Sequence, residues 1–122
     1  MSATILVIDD SLMVRQQVGR ALKGAGFSIV EAVDGADALE KLASSPETVL
    51  IVCDVNMPRM NGIEFLERLV ANGSALPVVM LTTEGQPELI QRAKALGAKG
   101  WIVKPFKSEL LVAAAKRLMA AA

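Results

Sequence analysis

Five short apolar runs alternate along this chain with five longer stretches whose apolar residues recur every three or four positions, and that alternation restricts the fold more than any other feature. The runs cover 4–8, 27–33, 49–53, 77–81 and 100–103. They are rich in Val and Ile and bounded by turn residues, which is the pattern of strands buried on both faces. Between them lie five candidate helices. The first, 12–23, carries Val14, Val18 and Leu22 on one face. The second follows Asp34-Gly35 and carries Ala38, Leu39 and Leu42. The third carries Ile63, Leu66, Leu69 and Val70, the fourth (85–96) Leu89, Ala93 and Leu96, and the fifth (107–120) Leu110, Ala114 and Leu118. This spacing predicts amphipathic helices. Ser11 is placed to cap the first, and Gly24, Gly26, Gly73 and Gly97 to stop three of them. Strand–helix alternation of this kind predicts an α/β fold: a doubly wound parallel sheet with right-handed crossovers and helices on both faces.

The 122 residues suit one domain, and no linker interrupts them, so a single domain over 1–122 is expected. A 52% hydrophobic fraction against 21% charged residues excludes a disordered chain. Thirteen basic and thirteen acidic residues cancel, which argues against nucleic acid or a membrane surface as partner. No apolar run reaches the ~20 residues of a membrane-spanning helix, and the N-terminus has no leader pattern, so a cytoplasmic protein is expected. The lone cysteine, Cys53, lies inside an apolar run and reads as a small buried hydrophobe. Histidine is absent. That removes the commonest general base and metal ligand, and any bound metal must be held by oxygen, as Mg²⁺, Mn²⁺ or Ca²⁺ are.

The polar residues that close the strands carry the functional signal. Parallel strands share one carboxyl edge, where ligands bind in open α/β sheets. The first strand runs into Asp9-Asp10, the third into Asp54, the fourth into Thr82 and the fifth into Lys104. Asp34 closes the second, which is expected at the sheet's edge and away from the others. Three carboxylates, a hydroxyl and an ammonium thus converge. Close carboxylates repel, and a hard divalent cation relieves that repulsion. A carboxylate can also attack phosphorus to give an aspartyl phosphate, in a transfer that needs mainly positioning and charge neutralisation.

In that order the motifs resemble those of response-regulator receiver domains: Asp9-Asp10, Asp54 within DVNMPRMNG (which includes Pro58), Thr82 within MLTTEG, and Lys104-Pro105-Phe106 within WIVKPF. The resemblance covers essentially the whole chain and is strongest to the single-domain chemotaxis regulators. It implies strand order 2-1-3-4-5, Asp54 as phosphoacceptor, and Mg²⁺ bound by Asp10, Asp54 and the backbone carbonyl of Asn56, with Asp9 assisting through water. It also implies that Lys104 pairs with Asp54 or its phosphate, that Thr82 moves toward the phosphoryl group, that Lys104-Pro105 is cis, and that Asn56 and Glu84 tune phosphate lifetime. Trp101 takes the position of an aromatic output residue, more often Tyr or Phe. It either follows Thr82 inward or stays out as a fixed contact, and an exposed indole near Lys94, Lys99 and Lys107 would suit a partner peptide. The implied partners are a separate histidine kinase or phosphotransfer protein and a downstream protein, with the flagellar motor switch one candidate. The chain is expected to be a monomer that catalyses only its own phosphorylation and dephosphorylation. Two alternatives remain: a receiver belonging to a larger regulator, and a Mg²⁺-dependent aspartyl-nucleophile phosphatase, although the latter places a DxD after its first strand and none is present.

Overall fold

Strand residues alternate between the two sides of a sheet, and a sheet covered on both sides sorts its apolar residues into two cores. The computed structural model describes residues 3–57, 60–82 and 87–121. They form β1 (Thr4–Ile8), α1 (Leu12–Gly24), β2 (Ser28–Ala32), α2 (Gly35–Ser44), β3 (Thr48–Asp54), α3 (Gly62–Ala71), β4 (Val78–Thr82), α4 (Pro87–Ala95), β5 (Gly100–Val103) and α5 (Ser108–Ala121). The strands pair in parallel in the order β2-β1-β3-β4-β5. Alternation alone required a parallel sheet; the order agrees with the family resemblance.

On one side, Leu6, Ile8, Ile51, Cys53, Val78 and Met80 pack against Ala38 of α2, Ile63, Phe65, Leu66 and Leu69 of α3, and Ala93 of α4. On the other, Ile5, Val7, Leu50, Val52, Val79, Leu81 and Ile102 pack against Val18 and Leu22 of α1 and Leu111 and Ala115 of α5. β1 and β4 are buried along their whole length, whereas the edge strand β2 exposes Ser28 and Glu31.

The helix ends follow local chemistry. Ser11 Oγ accepts from the Val14 amide and caps α1, and Asp34 does the same for α2 through the Asp37 amide. Asn61 caps α3 through a reciprocal box with Glu64. α1 and α4 both end on a left-handed glycine, Gly26 (φ 99°) and Gly97 (φ 98°). In each case the next amide (Phe27, Ala98) returns to a carbonyl five residues back.

Several boundaries and faces differ from expectation. β2 is shorter than 27–33: Phe27 packs on a core from outside the strand and Val33 is exposed. β3 extends one residue further, so Asp54 closes the strand instead of following it. Val70 is exposed, since Ile63, Leu66 and Leu69 already cover the α3 face. On α5 the buried stripe is Leu111 and Ala115, one residue later than predicted, and Leu110 is exposed. An alanine-rich helix has too little contrast between faces to fix its rotation from sequence. Gly85, the expected start of the fourth helix, lies outside the described residues.

Candidate functional site

Four of the five strands deliver a polar group to the carboxyl edge of the sheet. Asp9 is fully buried and held at four points. Its amide donates to the Ala32 carbonyl (3.1 Å) and its carbonyl accepts from Arg15 Nη1 (2.6 Å). Its Oδ1 accepts from the Ser11 amide (2.9 Å) and its Oδ2 from Lys104 Nζ (3.0 Å). Asp54, also buried, accepts from the same Lys104 Nζ through Oδ1 at 2.9 Å. Lys104 is itself tied to β4 by its amide, which donates to the Thr82 carbonyl at 2.7 Å, and its bond to Pro105 is cis. Asp10 is exposed, and one oxygen from each of Asp9, Asp10 and Asp54 lies within 4.8 Å of the others.

The backbone under Asp54 is closely packed. The Val55 amide donates to the Leu81 carbonyl and the Gly62 amide to the Val55 carbonyl, at 3.1 and 2.9 Å. A Cβ on Gly62 would stand 2.3 Å from the Asp54 carbonyl oxygen. Only glycine fits there, a constraint that the sequence showed merely as an Asn-Gly pair.

Three carboxylates face one ammonium, so the cluster carries surplus negative charge. Burial raises the Asp54 carboxyl above the usual aspartate value; the Lys104 hydrogen bond opposes this, and the charge of Asp9 adds to it. Burial alone would lower Lys104, but hydrogen bonds and charges from Asp54 and Asp9 outweigh it and hold the ammonium above its ordinary value. The donor set is oxygen only, which fits a hard divalent cation. Cys53 donates its Sγ–H to the Asp54 carbonyl, and burial, then the charges of Asp54 and Asp9, raise its thiol well above the normal range.

Thr82 is wholly buried, and its Oγ1 has no hydrogen-bond partner among the described residues. The same holds for Trp101 Nε1. Trp101 is not the exposed anchor considered from sequence. It is half-buried against the α2–α4 side of the sheet, in register with Met80. Asn56 is exposed two residues beyond Asp54; Glu84 and Pro58 lie outside the described residues. Asp34, as anticipated, belongs to the edge strand's exit, where it caps α2. Arg15 belongs to none of the strand-end motifs; its position one turn beyond an acid pair, at the start of a helix, is the available sequence signal.

The family model for the response regulator receiver domain matches residues 5–116. The chain belongs to that family. This receiver domain is 42% identical over 104 residues to the chemotaxis protein CheY of Treponema pallidum, covering 84% of this chain and 72% of that protein. It is 37% identical to CheY1 of Helicobacter pylori, covering 88% and 89%. It superposes on the crystal structure of Vibrio cholerae CheY4 with a TM-score of 0.89 at 41% identity, covering 97% and 99%. It also matches the response regulator MprA of Mycobacterium bovis at 37% identity, covering 98% of this chain but 51% of that protein. The receiver is thus a CheY-type phosphorelay signalling domain, and no helix among the described residues is long and apolar enough to cross a membrane.

Proposed function

We propose that this receiver accepts a phosphoryl group on Asp54 from a phosphohistidine of a separate kinase or phosphotransfer protein. The observation that carries the reading is the Asp9–Lys104–Asp54 ion triple beside a buried, unpartnered Thr82 hydroxyl. An Asp54 carboxylate oxygen forms the new O–P bond as the donor's N–P bond breaks, and the leaving imidazole keeps the electron pair. Asp9, Asp10 and Asp54, with the Asn56 carbonyl, would hold Mg²⁺, which neutralises phosphoryl oxygens when bound. Lys104 exchanges its Asp54 contact for a phosphoryl oxygen, as a compact charge on a flexible stem can. Thr82 donates its hydroxyl to another. An unsatisfied buried polar group carries a penalty of ~1–3 kcal/mol. The phosphoryl group therefore gives Thr82 a partner that the unmodified state lacks, and this differential contact is what a population shift requires.

Movement of Thr82 would be transmitted to Trp101 and the α4–β5–α5 surface, which would bind a downstream protein. Similarity to chemotaxis proteins supports chemotaxis as the setting and the flagellar motor switch as one candidate partner. The match to half of MprA supports a second reading, in which the domain belongs to a longer regulator with a separate output. Asn56 and Glu84 would favour rapid loss of the phosphate; a phospho-form stable for many hours in Mg²⁺ counts against that. The primary test is Trp101 fluorescence during addition of Mg²⁺ and then beryllofluoride, a phosphoryl mimic. The expected result is a Mg²⁺-dependent change that Asp54→Ala abolishes. Absence of mimic binding to the wild type, checked by fluorine NMR, would refute the proposal.

A further inference from the structure

Arg15 makes two contacts behind the acid cluster. Its Nη1 donates to the Asp9 carbonyl at 2.6 Å, and its Nε donates to Glu31 Oε1 at 2.9 Å. The arginine is well covered, with 12% of its side chain exposed, although Glu31 is 44% exposed. The Asp9 carbonyl belongs to the peptide plane that joins Asp9 to Asp10. Asp9 itself is fixed by its amide, by both carboxylate oxygens and by its place next to β1. Asp10, at the other end of that peptide plane, is exposed, and its carboxylate reaches the cluster. Rotation about the Asp9 Cα–C bond would swing Asp10 while leaving the Asp9 side chain in place, and Arg15, held on Glu31 through Nε, opposes that rotation through its Nη1 bond to the carbonyl. Glu31 offsets the arginine's charge, so that a cation can stand near the acids without competing fully with a metal.

We propose that Arg15 is a positioning residue for the divalent-cation site: it pins the Asp9–Asp10 peptide and so pre-orients Asp10. This rests on the reading that the acids hold Mg²⁺. The two effects of Arg15 on Mg²⁺ have opposite signs, which makes the inference testable. As a bare positive charge it would weaken Mg²⁺ binding, and its removal would tighten it. As a clamp it strengthens binding, and its removal weakens it. Groups that orient metal ligands are worth about 10- to 100-fold in affinity.

The experiment follows thermal unfolding of wild type, Arg15→Met, Arg15→Lys and Glu31→Gln as Mg²⁺ is titrated, each referred to its own metal-free midpoint. Arg15→Met and Arg15→Lys are expected to raise the half-saturating Mg²⁺ concentration about tenfold. The lysine variant keeps the charge but not the planar fork, and it serves if the methionine variant fails to fold. Glu31→Gln should weaken binding less, by an amount that high salt screens away. Equal or tighter Mg²⁺ binding in both Arg15 variants, with saturable binding by wild type, would overturn the inference alone. If wild type shows no saturable Mg²⁺ response, the proposed function falls and the inference with it.

Discussion

Replacing Lys104 with methionine tests the electrostatic account of the site directly. The ammonium lies 3.0 Å from Asp9 Oδ2 and 2.9 Å from Asp54 Oδ1, and the two acid side chains are only 1% and 5% exposed. At an effective dielectric near 20, each contact is worth roughly 5–6 kcal/mol before desolvation is subtracted. Methionine keeps most of the stem's packing but strands two buried carboxylates beside each other. Loss of one partner from a buried pair typically costs about 3–5 kcal/mol. Asp54 can escape part of this by taking up a proton, because its carboxyl is already raised. We therefore expect a loss of about 3 kcal/mol at neutral pH without metal, near the lower end of that range. In urea this moves the unfolding midpoint down by about 1–3 M, taking a slope typical of small domains. In an Asp54→Asn background only Asp9 is stranded, so the same substitution should cost about half as much. Mg²⁺ should restore much of the stability of Lys104→Met. A loss below about 1 kcal/mol, or an equal loss in the Asp54→Asn background, would refute the reasoning.

Asp54→Asn should itself stabilise the metal-free fold at neutral pH. A carboxyl raised in the folded state favours folding only below its unfolded value and loses that contribution as pH rises through the raised value. The advantage of asparagine over aspartate should therefore be full above Asp54's folded value and fade below it. It should vanish under the ordinary aspartate range; urea titrations of both proteins across acid pH check this. Gly62→Ala should destabilise by about 2 kcal/mol, because the new methyl would meet the Asp54 carbonyl, a main-chain atom that has no room to yield. It should also weaken the beryllofluoride response, as read from Trp101 fluorescence. Cys53 should resist thiol reagents in the folded protein at mildly alkaline pH and react only at the rate of unfolding, which native and denatured labelling would compare.

The sheet and the polar ends of its strands were legible because both depend on local pattern. Buried strands must be apolar throughout, and the residue at which the run breaks marks the edge of the sheet. Asp9, Asp54, Thr82 and Lys104 could be placed in one cleft without coordinates for that reason. Pairwise chemistry was not legible. Nothing in the sequence says that one lysine serves both Asp9 and Asp54, that Arg15 turns back on the Asp9 carbonyl, or that Gly62 lies against Asp54. The Lys104 contacts join residues brought together by the crossovers, and the other two depend on how the loops after β1 and β3 fold back. The rotation of α5 was misread for a different reason: Ala113, Ala114 and Ala115 look alike in sequence, and only tertiary packing chooses among them.

The tight seat of Gly62 against the Asp54 carbonyl has a mechanical consequence. Asp54, the proposed acceptor, stands on a rigid anvil: β3 is central, its exit is pinned by Leu81 and Gly62, and its main chain has no slack. Compliance must therefore reside in the groups that approach it, the flexible stem of Lys104 and the rotatable hydroxyl of Thr82. Both belong to the β4–β5 half of the sheet, which ends at the edge strand β5. Under the proposed function, phosphorylation would therefore deform the sheet more toward that edge than toward β1 and β2. Under the proposed function, the groups that answer the phosphate lie in the half of the sheet that also carries the α4, β5 and α5 surface, so residues of that surface could diverge to suit new listeners while the anvil stays unchanged.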